Sequence, residues 1–284
     1  MKRIGHDLWR DMRSLLLKQL PWFCDPPPLK TGWTSRHQIH MFCRLAGLTF
    51  SYPRFSRGGI TIVYPPGTWD PIEADLFLTF CESERTILSR RFGIRAQMPI
   101  RIDILRDRAA VGRLYNRSFS AFALAKFGRV VVPLDAFVHE MVRHELVHIF
   151  AACWNPHAPS LLNEGLAVWL QRTWGGRRIR DVVGWSFVGY RPVTKLLDEQ
   201  FFFSPPHRHY CYMISGSFTG FLLRRFGWEK YRQLYQCAQA AAFERQFLKV
   251  IGVSLEVAEE EWCRESQRYL RPSSRPSSSQ FRAT

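Results

Sequence analysis

The sequence predicts an α+β domain: a small N-terminal mixed sheet followed by a mostly helical half. Three observations predict it. Segments 59–64, 100–105 and 129–132 are short and strand-like, the first two alternating as half-buried strands do. From Asp135 to about Leu270 the apolar residues instead recur every three or four positions, the spacing of helix faces. No segment repeats, and strands first with helices after argues against a chain of βαβ units.

The elements follow in order. Residues 1–57 form a basic N-terminal extension that opens with an amphipathic helical pattern (Leu8, Met12, Leu15, Leu16, Leu20) and breaks at Pro21 and Pro26–Pro28. The folded body is expected over 58–270. Its first strand, Gly59–Tyr64, stops at Pro65-Pro66-Gly67, and helical spacing over 70–92 ends at Gly93, a C-cap signal. Ile100–Leu105 is the second strand, and Arg129–Val132 follows as the third. Residues 271–284, RPSSRPSSSQFRAT, offer almost nothing apolar to offset ordering entropy and are expected to be disordered.

Composition narrows the class. The 284 residues carry 40 basic and 24 acidic side chains, a net +16, and are 46% hydrophobic. Such a chain can bury a sizeable core, which excludes wholesale disorder. No run approaches the ~18 apolar residues of a transmembrane helix. Asp7, Arg10, Asp11, Arg13 and Lys18 interrupt the first twenty residues, so a secretory signal is not indicated. A cytoplasmic location is expected, with export and membrane association left open. Seven scattered cysteines (24, 43, 81, 153, 211, 237, 263), never spaced CxxC, read as buried free thiols of a reducing compartment. The arginines are spread along the chain without an RNP, zinc-finger or P-loop pattern. No specific nucleic-acid partner is expected, although the charge suits peripheral contact with anionic surfaces.

Chemistry concentrates in residues 135–170. Asp135 can cap a helix carrying Phe137, Val138, Met141, Leu146, Ile149 and Phe150, and within it stands His144-Glu145-Leu146-Val147-His148. Histidines at i and i+4 lie one above the other, so both imidazoles can reach one metal ion. Glu145 is turned about 100° away, which puts a carboxylate beside the metal where it can take a water proton. The plainer reading is an amphipathic helix with unrelated histidines; the pentapeptide arises by chance on the order of once per hundred such chains, so its context has to decide.

A catalytic zinc needs a third protein ligand and an open fourth position. Past Pro156 and Pro159, Ser160 is a good N-cap for a helix whose first turn holds Glu164, and Gly165 suits a close helix crossing. Glu164 can be aimed back at the histidines, or can serve the helix dipole alone. His157 is the competing third ligand. Ala151 and Trp154 stand where HExxHxxGxxH would need Gly and His, which excludes the metzincin pattern. Cys153 reads as a packed thiol, Trp169 and Trp174 as core or loop anchors, and 176–200, with Arg177, Arg178 and Arg180, as a rim of a cleft.

HELVH followed by LLNEGLAVWL resembles the gluzincin zinc metallopeptidases, in particular the bacterial peptidase MA-like family. Tyr212–Phe218 leading to Phe226–Lys230, and Phe243–Trp262 containing Ile251–Glu256, resemble that family's later helices, so the likeness spans roughly 58–270. It implies a zincin-like fold, a zinc ion held by His144, His148 and Glu164, Glu145 as general base, and a peptide or protein substrate. It also makes Tyr212 the donor to the oxyanion, with Tyr210, His207 and His209 as competitors. Gly128–Val132 could offer a strand edge to substrate, or be ordinary sheet. Val168 stands where thermolysin-like relatives carry an aspartate that holds a histidine, so partners behind His144 and His148 are unassigned. Two rivals remain: a catalytically silent binding protein on the same fold, and a basic intracellular regulatory zinc protease associated with nucleic acid.

Overall fold

Two glycines with positive φ, Gly58 (58°) and Gly59 (81°), turn the chain between its first two strands. β1 (Arg54–Arg57) and β2 (Ile60–Val63) pair antiparallel across them, Arg57 opposite Ile60. A two-residue loop with both φ values positive is the hairpin turn whose twist matches its strands. β1 corrects the expected boundary at 57/58: the sheet begins inside the supposed extension. The computed structural model describes residues 44–94, 99–115, 121–179, 192–204 and 207–270, all within a unit that begins at Arg44. The amphipathic pattern of the first twenty residues, Cys24, Cys43, Arg180 and the Ser/Pro/Arg tail lie outside the described residues.

α1 (Pro71–Phe92) starts on Asp70, whose carboxylate accepts from the Ile72 and Glu73 amides while Glu73 reaches back to the Asp70 amide. This reciprocal box satisfies two otherwise orphaned donors. α1 ends at Gly93, φ 66°. It carries the chain from β2 to the parallel β3 (Ile100–Leu105). α2 (Arg108–Tyr115) and the short β4 (Phe122–Leu124) precede β5 (Arg129–Pro133), which pairs parallel with β3 and antiparallel with β4. The five-stranded order is β1-β2-β3-β5-β4. The sheet is mixed as expected, yet it contains parallel crossovers that a strands-first reading does not foresee. β5 has a neighbour on each side, so the expected free edge at 128–132 is corrected: β4 covers it.

The rest of the described chain is mostly helical: α3 (Val138–Ala151), α4 (Ser160–Gln171), α5 (Glu199–Phe203), α6 (Arg208–Phe226), α7 (Trp228–Cys237), α8 (Phe243–Ile251) and α9 (Leu255–Leu270). A small hairpin, β6 (Thr173–Trp174) with β7 (Arg177–Arg178), interrupts it. α3 packs on α1, β5 and α4, and α4 lies in turn against α6. One core joins them, with Ile102, Val130, Leu146, Leu162, Phe218 and Trp262 buried in it. Among the described cysteines, Cys81 and Cys211 are buried but Cys153 and Cys237 are exposed, which corrects the reading of uniformly buried thiols.

The α4–α6 contact is unusually close. A β-carbon on Gly165 would stand 2.7 Å from the Ser215 carbonyl oxygen, and one on Gly220 2.5 Å from the Trp169 ring. One on Gly216 would overlap the Val168 side chain. Real β-carbons need about 3.4 Å or more to sit in ordinary contact, so this seam admits only glycine at those positions.

Candidate metal centre

Two turns of α3 and one of α4 bring three basic atoms to a point. His144 Nε2 lies 3.2 Å from Glu164 Oε2, His148 Nε2 lies 3.4 Å from the same oxygen, and the two Nε2 atoms are 3.2 Å apart. These three residues form the group that could hold a metal ion among the described residues. The cluster is nearly closed to solvent: His144, Glu145 and Glu164 are 8%, 6% and 9% exposed. Ligand atoms of a tetrahedral zinc with bonds of about 2.0–2.1 Å stand roughly 3.3–3.4 Å apart. The triangle fits that spacing, and its nitrogen and oxygen donors suit the ion.

The ring orientations fit as well. His144 donates from Nδ1 to Gln171 Oε1 (2.9 Å), and the amide of Gln171 is fixed because its Nε2 donates to the Thr173 carbonyl (2.7 Å). His148 donates from Nδ1 to Asn163 Oδ1 (3.1 Å), an oxygen that also accepts from the Tyr235 hydroxyl (2.8 Å). With each ring proton held at Nδ1, each Nε2 turns a lone pair toward the other and toward Glu164. Such a point takes a proton or a cation. These are the partners that Val168 left unassigned: Gln171 sits three residues beyond it, and Asn163 immediately precedes Glu164. Glutamine and asparagine at helix positions carry no signal of this role until the tertiary packing is known.

Electrostatics follow from burial and proximity. Burial works against a charged His148, but the Glu164 carboxylate outweighs it and pushes the ring up to about 9. Burial likewise favours a neutral Glu164, and His148 and His144 overcome it and hold the carboxyl well below the usual range. Glu145 is raised by burial, an effect that the two histidines partly oppose. Burial first, then the carboxylates of Glu164 and Glu145, pushes the Tyr212 phenol well above its ordinary value. Tyr212 therefore stays a neutral donor, and its ring stacks beside that of His144, with centroids 6.0 Å apart.

A cleft of about 270 Å³ opens onto His144, Glu145 and Tyr212. Its far wall is the β6–β7 hairpin, with Trp174 and Gly175 facing in. Glu140, in the first turn of α3, latches that hairpin: its carboxylate accepts from the Thr173 hydroxyl (2.7 Å) and from the Gly175 (2.9 Å) and Gly176 (2.8 Å) amides. Glu140 is a site-building residue that sequence reasoning passed over, since nothing local marks a helix glutamate as a hairpin anchor.

Compared with known proteins, the sequence matches no protein-family model and no curated protein. Among solved structures it is similar to the crystal structure of an M1 zinc metallopeptidase mutant from Deinococcus radiodurans. The identity is 16% and the TM-score 0.44, over 74% of this chain and 50% of that one. This chain thus spans about half the length of that structure.

The remaining expectations sort by position. His157 stays out of the triangle; its backbone amide is held by Asn155 Oδ1 at 2.9 Å. Cys153, exposed at the end of α3, is no ligand either. Ser160 is not the cap of α4: Pro159 holds that position, and the Ser160 hydroxyl donates to Glu199 at 2.6 Å. Asp135 accepts from the Phe137 amide and pairs with Arg108, so it shapes the turn before α3 while Phe137 occupies the cap position. Of the residues competing with Tyr212, His209 also lines the cleft, against Trp174, whereas His207 stacks on Phe201 and Tyr210 packs on the core.

Proposed function

We propose that this protein is a zinc-dependent peptidase of the gluzincin kind. In this reading His144, His148 and Glu164 hold the ion, and Glu145 is the general base. The single observation that carries the proposal is the triangle of His144 Nε2, His148 Nε2 and Glu164 Oε2, with sides of 3.2, 3.4 and 3.2 Å and both Nδ1 protons committed to amide oxygens behind it.

Zinc, when bound, supplies a Lewis acid that polarises a carbonyl and acidifies water. The chain's own residues supply the rest. Glu145, next to His144 and facing the cleft, accepts the proton of the attacking water and returns it to the departing nitrogen. Tyr212 donates to the oxygen on which negative charge develops, and does so without bringing charge of its own. The hairpin wall held by Glu140 narrows the approach, so an extended peptide or protein segment is the substrate class this cleft suits.

The deciding experiment joins metal analysis to a peptide-library digest of wild type and Glu145→Gln. The expected outcome is about one zinc per chain in both proteins. Cleavage should fall at least ~10³-fold in the variant, within the range removal of a general base produces. Wild-type protein without zinc, or a variant that cleaves at the wild-type rate, sinks the mechanism.

A further inference from the structure

Two tyrosines one turn apart on α7 reach the start of α4. Tyr231 donates to the Leu162 carbonyl at 3.1 Å and stands 3.4 Å from the Thr219 hydroxyl. Tyr235 donates to Asn163 Oδ1 at 2.8 Å, the same oxygen that receives the Nδ1 proton of His148 at 3.1 Å. Both rings are fully buried, and they pack against each other at 6.3 Å. Their hydroxyls differ in one respect: Tyr235 is joined through a single oxygen to a ring of the metal triangle, whereas Tyr231 touches only backbone and a threonine.

We propose that Tyr235 is a positioning residue for the metal centre: its hydroxyl, by holding the Asn163 amide oxygen toward His148, keeps the His148 ring proton on Nδ1 and leaves Nε2 open to zinc. This rests on the zinc reading above and extends it to a residue 72 positions beyond Asn163. An asparagine side chain presents an oxygen on one side and an NH2 group on the other. With the oxygen forward it accepts the His148 proton. Turned over, it would donate to Nδ1, and the ring proton would move to the nitrogen that faces Glu164. A phenol donates more strongly than it accepts, so the Tyr235 hydroxyl favours this oxygen-forward orientation over the flipped one, in which it would have to accept from the NH2 group. Without the Tyr235 hydroxyl only the His148 contact enforces it. Partners of this kind behind metal-bound histidines change metal affinity by about 10–100-fold when removed.

The test measures the zinc dissociation constant by competition with a chromophoric chelator in wild type, Tyr235→Phe, Tyr231→Phe and Tyr235→Phe/Asn163→Asp. The thermal midpoint and circular dichroism of each metal-free protein are read alongside. Tyr231→Phe controls for loss of a buried hydroxyl on the same helix. The double variant controls for mechanism, because a carboxylate offers oxygen on both sides and needs no orienting donor. The expected result is zinc bound about 10-fold more weakly by Tyr235→Phe, unchanged binding by Tyr231→Phe, and restored binding in the double variant. Equal weakening by both single variants would assign the effect to packing and overturn the proposal, as would unaltered affinity in Tyr235→Phe or a double variant that stays weak. Wild-type protein that binds no zinc would remove the metal reading itself, and this inference with it. Should Tyr235→Phe yield no folded protein, the folded double variant decides: binding at wild-type strength supports the positioning role, and weak binding overturns it.

Discussion

Two of the buried clusters of charged groups among the described residues are built on opposite principles. In the sheet, Asp103 on β3 is fully enclosed, and each of its oxygens is taken by a guanidinium: Oδ1 by Arg101 (2.9 Å) and Oδ2 by Arg129 (2.5 Å). Its acceptors meet donors supplied by the same strand and by its neighbour, as burial of a charge demands. At the α3–α4 junction the reverse holds. Three acceptor atoms converge, two of them turned inward because their rings are pinned from behind. The first arrangement is complete within the chain and serves the fold. In the proposed reading the second is complete only with a cation from outside, which is how a binding site differs from a structural ion pair of similar burial.

That contrast can be broken in three ways. The largest expected effect is on Asp103→Ala, which removes the carboxylate shared by the buried Arg129 and the partly exposed Arg101. It should cost about 3–5 kcal/mol in urea unfolding, while the protein that remains folded binds zinc as wild type does. Loss of zinc binding by folded Asp103→Ala would mean that the two clusters are not separable. Glu164→Ala should show the opposite pattern: zinc retention weakened about 100-fold, measured by chelator competition, with the unfolding free energy of the metal-free protein changed far less than in Asp103→Ala. Equal destabilisation by the two substitutions would make the triangle a structural cluster after all. The smallest effect is on Tyr212→Phe, expected to lower turnover about 10-fold at unchanged zinc content. Unaltered turnover would pass the oxyanion role to His209, the other candidate at the cleft.

What could be read from sequence was what depends on a few consecutive residues. The i, i+4 spacing put His144 and His148 on one face, Gly93 ended α1, and the alternation at 100–105 marked β3. Gly58-Gly59 between two short strands was an equally local signal that went unread. The order of strands was not local. β4 and β5 are sequence neighbours that pair with each other, while β5 also reaches back to β3, so no alternation pattern tells which strand keeps a free edge. The layer behind the histidines was hidden for the same reason. Asn163 and Gln171 look like ordinary helix residues until α3 is laid against α4, and Tyr235 acquires meaning only when α7 closes over both. Ser160 shows the limit of cap rules, because its hydroxyl found a better partner in Glu199 than in its own helix.

The glycine seam between α4 and α6 sets how the centre can move. Where Gly165, Gly216 and Gly220 remove the side chains, the two helices are stopped by the radii of backbone and neighbouring atoms, with no compressible layer between them. Such a joint has almost no play toward closure. Glu164 rides on one half and Tyr212 on the other, so the two cannot be brought closer by closing of the helix pair. The lower limit on the distance between the proposed ligand and the proposed donor is thus a dimension machined into the helix pair.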